Sequence, residues 1–335
     1  MTICDPNRRA VGRTLSTLAL LLLVKSVGAQ PKTLLRISTP AVAGDWHGKM
    51  WDVFKDQLGL SSQGQFEVQV SLNAALFKQG AEPSAMARGN LELASLSAFD
   101  IAKFVPEFSI FTAGYVLRDP AHQQKVLSGA IGLDLYKRVS EKMDVTILAP
   151  LYLGTRQLNL RELRTVNVPA DLKGLKLRMP SSKEWLFLGE ALGATPTPLA
   201  FGEVYLGLKT GTIDAQDNPL PTVRAAKFYE VTKQVVLTAH LVDSLFIAVS
   251  NKLWNSLNPA QKLNLKAASV SAAQFNNDNR LREEAQIIDY LRQQGLAVTT
   301  PDLTAFRLKV QQAYMSSDYA KQWPSGILER INAVR

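Results

Sequence analysis

The stretch Asp171-Leu-Lys-Gly-Leu-Lys-Leu-Arg-Met-Pro-Ser-Ser-Lys-Glu-Trp185 joins a strand pattern to a helix start. Apolar and polar residues alternate over 175–179, which predicts a strand with one buried face and Arg178 on the opposite face near its end. Ser181 and Glu184 make a capping box, which predicts that a helix begins here. Strand ends beside helix N-termini favour anions, so Arg178 could hold a carboxylate through two parallel N–H···O bonds. The alternative is an exposed arginine at a strand edge.

Similar alternation of strand and helix patterns covers most of the chain. The pattern predicts an α/β fold with mixed, mostly parallel sheets covered by helices. A helical pattern over 259–294 exceeds the usual helix length, so this segment either kinks or bridges two domains, and bridging is favoured. The predicted strands are 34–38, 66–70, 91–95, 145–153, 175–179, 212–216, 234–238 and 245–250, and the other predicted helices are 46–58, 83–88, 129–142, 182–192 and 201–210.

Other residues could complete an anion site. Arg156 follows the apolar run 145–153 and is a second candidate cation at a strand end. Asn218 precedes a proline and follows a predicted strand, which favours an N-cap as its simplest role. Three aromatic residues could form the walls of a cleft, although such residues more commonly lie in a core; they are Phe201, Trp46 and Trp185.

The N-terminus has the pattern of a secretory signal. A basic segment is followed by the apolar run 15–24 and by the small residues Val27-Gly28-Ala29, which predicts a signal peptide over 1–29 and export to the periplasm. A retained membrane anchor is the alternative, but it needs about 20 apolar residues and Lys25 interrupts the run.

Composition narrows the function classes. The chain has 335 residues, 38 Lys and Arg, 29 Asp and Glu, a net charge of +9 and one cysteine. Residues 1–29 carry four basic residues and one acidic residue, so the rest of the chain carries +9 − 3 = +6. These charges are scattered, so a nucleic-acid partner is not expected. The one cysteine, Cys4, leaves with the signal segment, and neither a metal site nor another cofactor is expected. The length predicts two domains.

Five linked motifs resemble a known family. They are Gly154–Gln157, Asp171–Pro180, Gly193–Tyr205, Ile213–Pro219 and Ala226–Val231. The chain resembles the periplasmic solute-binding proteins of tripartite ATP-independent periplasmic (TRAP) transporters, the C4-dicarboxylate-binding (DctP-like) family. The similarity covers nearly all of the chain after the signal segment.

The resemblance implies a protein that binds a ligand and is not an enzyme. It implies a periplasmic-binding-protein fold whose two lobes are joined by hinge strands and a long helix. The lobes would close on a small organic acid, which a monomer then delivers to membrane permease subunits. It also implies that Arg178 pairs with the ligand carboxylate, Arg156 adds a second contact, Asn218 a polar one, and Phe201 packs on the ligand. The expected lobes are 30–153 with about 244–283, and 154–243 with about 284–335.

Departures from the family pattern bear on the ligand. This chain has Ala215, Gln216 and Asp217 where the family often has Gly-Gln-Glu. Ser181, a further candidate substrate-binding residue, stands where sialic-acid-binding members carry Asn. Sialic acid is therefore not expected. The tryptophans near the supposed cleft favour a smaller or partly apolar monocarboxylate, such as a 2-oxo, hydroxy or aromatic acid.

Two alternatives come from other function classes. A secreted hydrolase or lyase could use His47 or His240 with a cleft carboxylate. A receptor could instead pass its ligand to a sensor kinase.

Overall fold

Nine strands form one mixed sheet in the computed structural model, which describes residues 32–335. The predicted signal segment 1–29 lies outside the described residues. The strands are β1 Thr33–Ser38, β2 Phe66–Ser71, β3 Leu93–Ser97, β4 Val145–Leu160, β5 Lys176–Met179, β6 Thr195–Pro198, β7 Ala215–Pro219, β8 Gln234–Ser250 and β9 Ala297–Thr299.

Each of the six predicted helical segments contains an α-helix, and the structure has further α-helices that the sequence pattern did not predict. The α-helices of the described chain are α1 Trp46–Ser61, α2 Glu82–Ala87, α3 Ala98–Ala102, α4 Pro120–Ser128, α5 Ala130–Met143, α6 Lys183–Ala191, α7 Val204–Thr210, α8 Leu220–Ala225, α9 Asn251–Ser256, α10 Pro259–Glu284, α11 Ile287–Gln293, α12 Leu303–Met315, α13 Asp318–Lys321 and α14 Ile327–Ala333. Short 3-10 helices cover Pro106–Thr112, Pro169–Leu172, Phe201–Glu203 and Phe228–Val231.

The sheet order is β2-β1-β3-β8-β4-β7-β5-β6, with β9 on β8. Pairs near the two ends, such as β1–β2 and β5–β6, are parallel, whereas β8 runs antiparallel to both β3 and β4. Crossover helices separate the parallel neighbours along the chain, as parallel pairing requires. The α/β fold with mixed, mostly parallel pairing is therefore confirmed.

Two long strands pass through the centre of the sheet. β4 has 16 residues and β8 has 17, and their pairing shifts register at three places. The C-terminal part of β8 pairs with β3, while the C-terminal part of β4 pairs with β7. Both strands therefore connect the β1–β3 part of the sheet with the β5–β7 part.

Several predicted boundaries are wrong at these strands. The predicted strand 145–153 continues to Leu160, and 234–238 and 245–250 belong to the single strand β8. The polar residues that suggested strand ends remain in the ladder because their buried side chains bond to one another. Arg156 consequently lies inside β4 and not at a strand end.

Two predicted features shift along the chain. The predicted strand 212–216 is β7 at Ala215–Pro219, so Asn218 is a strand residue and Pro219 takes the N-cap position of α8. The predicted helix 259–294 is two helices, because the backbone departs from helical geometry at Gln286 (φ −122°).

Three apolar clusters stabilise the fold. One packs α1 and α10 on β1 to β3, and another packs α7, α8 and α11 around the start of β8. The largest extends from β3 and α3 to β5 and α6, so it passes under the central strands. None of the helices within residues 32–335 combines the length and apolarity that a bilayer crossing requires.

Candidate functional site

A small cavity lies where the central strands meet both parts of the sheet. The volume of this cavity is about 60 Å³. Its lining combines polar, charged and aromatic side chains from elements far apart in the sequence: Thr39, Pro40, His47, Gln79, Ser95, Ser97, Leu153, Arg156, Arg178, Pro180, Trp185, Phe201, Asn218, Thr222, Asp243 and Leu245.

Arg178 is a buried cation without a carboxylate partner. It lies on β5 with 1% of its surface exposed, and no carboxylate of the described chain lies within 4.0 Å of its guanidinium. Nε donates to the Leu199 carbonyl at 2.8 Å, and Nη2 donates to Gln79 Oε1 at 3.3 Å. Burial lowers the pKa of Arg178 to about 9. An unpaired buried charge is costly, so this guanidinium is suited to an anion that enters the cavity.

Arg156 has the opposite environment. Its Nε donates to Asp217 Oδ2 at 2.7 Å, and its Nη1 donates to Asp243 Oδ2 at 3.0 Å. Two carboxylates therefore hold this guanidinium, although it also lines the cavity. Arg156, Asp217 and Asp243 are all buried, and each lies on a different strand: β4, β7 and β8.

The two carboxyl groups beside Arg156 differ in acidity. Burial tends to raise the pKa of Asp217, but Arg156 and His240 outweigh burial and hold the pKa well below its ordinary value. Burial raises the pKa of Asp243 to about 6, although Arg156 opposes the shift. Asp217 is therefore a permanent anion, whereas Asp243 can take up a proton in mildly acidic solution.

Histidines lie on both sides of this region. His240 Nε2 lies 3.1 Å from Asp217 Oδ2, and burial lowers the pKa of His240. His240 does not line the cavity, whereas His47 does. The Nδ1 atom of His47 lies 2.9 Å from Arg280 Nη2, which also bonds to Asp45. Both imidazoles are thus held in ion-pair networks of the protein.

Asn218 contributes an amide to the cavity wall. Its Nδ2 donates to Gln216 Oε1 at 2.5 Å, and Gln216 Nε2 donates in turn to Asn159 Oδ1 at 3.2 Å. The N-cap interpretation of Asn218 is wrong, because β7 extends through this residue and pairs it with Gln157 of β4.

Two of the three predicted aromatic residues line the cavity. Trp185 stacks on Phe99 with ring centroids 3.5 Å apart, and the Arg156 guanidinium carbon lies 4.5 Å from the Trp185 ring centroid. The ring centroid of Phe201 lies 5.9 Å from the Arg178 guanidinium carbon. Trp46 is not part of the lining, since its Nε1 donates to Glu283 and its ring packs against Phe275.

Ser181 is not the helix cap that the sequence predicts. It is exposed and does not line the cavity. Ser182 caps α6 instead, because its hydroxyl accepts from the Trp185 N–H at 3.3 Å.

The structure adds lining residues that the sequence reasoning did not select. Gln79 reaches Arg178 from the segment before α2, and Asp243 faces the cavity from the middle of β8. A signal for Asp243 exists, because it is the one charged residue in 241–249, a run that is apolar apart from Asp243 and Ser244. Gln79 carries no such signal, because it lies between Lys78 and Gly80 with no strand or helix pattern around it.

Comparisons with known proteins agree with this architecture. Residues 38–322 match the family model of bacterial extracellular solute-binding protein, family 7 (DctP). A solute-binding protein of Verminephrobacter eiseniae is 31% identical over 92% of this chain and 91% of its own length. The sialic acid-binding periplasmic protein SiaP of Vibrio cholerae is 29% identical over 90% of this chain and 94% of its own length.

Solved structures give the same result. A TRAP periplasmic solute-binding protein of Roseobacter denitrificans, crystallised with 3-deoxy-D-manno-oct-2-ulosonic acid (KDO), has 44% identity and a TM-score of 0.88, over 91% of this chain and 100% of that one. A Polaromonas TRAP solute-binding protein bound to D-erythronate has 29% identity and a TM-score of 0.85, over 91% of this chain and 99% of that one. This chain belongs to the family 7 extracellular solute-binding proteins and has the two-lobed fold of the TRAP-transporter members.

Proposed function

We propose that this chain captures a small organic acid whose carboxylate binds Arg178. The observation that carries the proposal is the buried guanidinium of Arg178, which has no carboxylate partner within residues 32–335. Nη2 of Arg178 donates to the amide oxygen of Gln79. A ligand carboxylate would accept stronger hydrogen bonds from the guanidinium, because it is charged. Asn218 and Phe201, which also line the cavity, would add a polar and an apolar contact.

The class of acid we favour is a hydroxylated sugar acid. The Roseobacter relative was crystallised with KDO, and the Polaromonas relative with D-erythronate, and both ligands carry one carboxylate and several hydroxyls. The polar lining of the cavity suits such a molecule. The partly apolar acid that the tryptophans favour has less support, because Trp46 faces Glu283 and only Trp185 lines the cavity.

We further propose that the two lobes close over this acid and present it to TRAP permease subunits in the periplasm. β4 and β8 would act as hinge strands, with lobes over 30–153 plus about 244–283 and over 154–243 plus about 284–335. Two-lobed receptors close as rigid bodies about such strands. Arg178 of the second lobe and Gln79 of the first are already in contact across the cavity, as expected for a closed form, and a monomer would suffice for this cycle.

Arg178→Ala tests the proposed site. Removing one partner of a buried charge pair costs about 2–5 kcal/mol of binding free energy, so the Kd for KDO should rise by more than tenfold. Isothermal titration calorimetry of the exported protein with KDO and L-galactonate measures this change. Arg178→Lys should bind almost as poorly, because an ammonium group cannot make two parallel bonds to a carboxylate.

Arg330→Ala provides the matched control, because Arg330 is exposed on α14 and should leave the Kd unchanged. Unaltered affinity in Arg178→Ala would refute the assigned site. A wild-type protein that binds no organic acid would refute the function itself. Mass spectrometry of the acid recovered from the complex distinguishes binding from catalysis. An unchanged mass is expected for a binding protein, whereas a hydrolase or lyase would convert the acid.

A further inference from the structure

The second carboxylate beside Arg156 faces the same cavity as Arg178. Asp243 lies on β8 with its side chain fully buried, and it lines the cavity together with Leu245, two residues further along the same face. Asp217, by contrast, lies behind the Arg156 guanidinium and does not line the cavity.

We propose that Asp243 makes the site selective for hydroxylated monocarboxylates and excludes dicarboxylates. This inference rests on the proposed function, because it assumes that the ligand carboxylate binds Arg178. It concerns the part of the ligand that lies away from that carboxylate.

The first argument is the charge of the buried groups. Arg156 and Arg178 supply two positive charges, and Asp217 and Asp243 supply two negative charges, so these four groups are neutral together. One ligand carboxylate can use Arg178. A second carboxylate would find Arg156 already bound to two carboxylates and would approach Asp243, which repels it at short range in a poorly solvated site.

The second argument is the unused hydrogen-bonding capacity of this wall. Asp243 Oδ1 accepts from the Ser244 N–H at 2.7 Å and Oδ2 accepts from Arg156, which leaves about half of its lone pairs available. Ser95 lines the cavity from the adjacent strand β3, and its buried hydroxyl has no partner among the described residues. One ligand hydroxyl can donate to Asp243 and another can exchange a hydrogen bond with Ser95, whereas a methyl group can do neither.

Protonation provides an independent readout. The charged groups that face Asp243 are Arg156 from β4 and Asp217 from β7, with His240 on its own strand and Arg178 and His47 across the cavity. Burial and Asp217 raise the pKa of Asp243 to about 6 against the opposing effect of Arg156. The repulsion of a second carboxylate should therefore weaken as the pH falls below about 6.

The experiment compares L-galactonate with galactarate by calorimetry. These acids share a six-carbon hydroxylated chain and differ in whether the far end is a hydroxyl or a second carboxylate. We expect wild-type protein to prefer L-galactonate by about 100-fold at pH 7.5, and Asp243→Asn to reduce this preference to about tenfold or less. Glu92→Gln is the matched control, because it removes one carboxylate outside the cavity and should keep the wild-type preference.

A pH series on the wild-type protein tests the same inference without a variant. This test can be carried out even if Asp243→Asn does not fold. The preference for L-galactonate should fall by about tenfold between pH 7.5 and pH 5.5. The inference is overturned if the preference is absent, is unchanged in Asp243→Asn, or is independent of pH, and also if wild-type protein binds neither acid. KDO is titrated in parallel to distinguish failure of this inference from failure of the proposed function. If the protein binds KDO but neither of the other acids, the proposed function stands and this inference is wrong. If it binds none of the three acids, both are wrong.

Discussion

Gly154 shows how a single residue shapes the centre of the molecule. It lies in β4 at one of the register shifts, with φ +132°. A Cβ atom there would overlap with Pro219 Cβ and would lie 2.7 Å from Glu284 Oε1. We expect Gly154→Ala to lower the free energy of unfolding by about 2–4 kcal/mol, from backbone strain and this overlap together. Urea denaturation followed by circular dichroism measures the loss.

Substitutions at two other glycines distinguish backbone strain from steric overlap. Gly174 has φ +77° with no atom within 4 Å of an added Cβ, so Gly174→Ala should show backbone strain alone, about 1 kcal/mol. Gly59 lies in α1 beside open space, so Gly59→Ala should stabilise the protein by up to about 1 kcal/mol. If Gly154→Ala costs no more than Gly174→Ala, the close approach of β4, Pro219 and Glu284 is not as described.

The sequence and the structure differ most instructively at the two arginines. The family motif predicts both as ligand contacts, and both line the cavity. Their difference arises from Asp217 and Asp243, which lie 61 and 87 residues from Arg156. Local patterns carry no information about such partners, because strand pairing alone brings them together. The motif therefore predicts Arg178 and Arg156 as ligand contacts, but it does not show that Arg156 is paired with two carboxylates and Arg178 with none in the part of the chain that the structure describes.

At the scale of elements, α10 connects α1 with α8 through a buried ion pair. Arg280 of α10 bonds to Asp45, the N-cap of α1, and its Nη2 also donates to Thr222 Oγ1 of α8 at 3.2 Å. Thr222 in turn donates to Asp45 Oδ2 at 3.0 Å. Since these groups are fully buried, removing one charge leaves the other unpaired.

Asp45→Asn tests this connection and should cost about 3–5 kcal/mol of unfolding free energy at pH 7. Burial raises the pKa of Asp45, but Arg280 and His47 outweigh burial and hold it far below its ordinary value. A depressed pKa gives stability that is present above the unfolded pKa, about 3.9, and lost as the pH falls towards the folded pKa. The difference between wild type and Asp45→Asn should therefore shrink below about pH 4, as measured by urea denaturation at each pH.

Asp302→Asn is the control for this variant, because Asp302 also caps a helix but is exposed and has no ion pair in the described chain. It should change stability by less than about 0.5 kcal/mol, since asparagine caps a helix as well as aspartate. A pH-independent difference between wild type and Asp45→Asn would contradict the ion-pair account.

Most elements could be predicted from periodicity, because alternating apolar residues and caps are local signals. α1, β2 and α5 begin and end within a few residues of their predicted limits. The long strands β4 and β8 could not, because buried polar residues interrupt their apolar pattern. Those same residues form the site, so the failure of the pattern coincides with the functional region.

At the scale of the whole molecule, contacts outside the cavity hold its two sides together. Trp46 of α1 donates to Glu283 at the end of α10, and Arg224 of α8 donates to the other oxygen of Glu283 at 3.2 Å. None of these three residues lines the cavity. Because ligand affinity depends on the population of the closed form, a contact made only on closure contributes to affinity without touching the ligand.

Glu283→Ala should therefore weaken binding of KDO by about three- to tenfold, because it removes the contact with Arg224 of the other lobe and lowers the population of the closed form. Calorimetry gives the Kd, and small-angle X-ray scattering gives the radius of gyration, which should be larger for the variant than for wild type without ligand and equal to it at saturation. Glu329→Ala is the control, since Glu329 lies on α14 outside the cavity lining and has no ion pair in the described chain. An unchanged Kd for Glu283→Ala would mean that the Arg224–Glu283 contact does not stabilise the closed form relative to the open one.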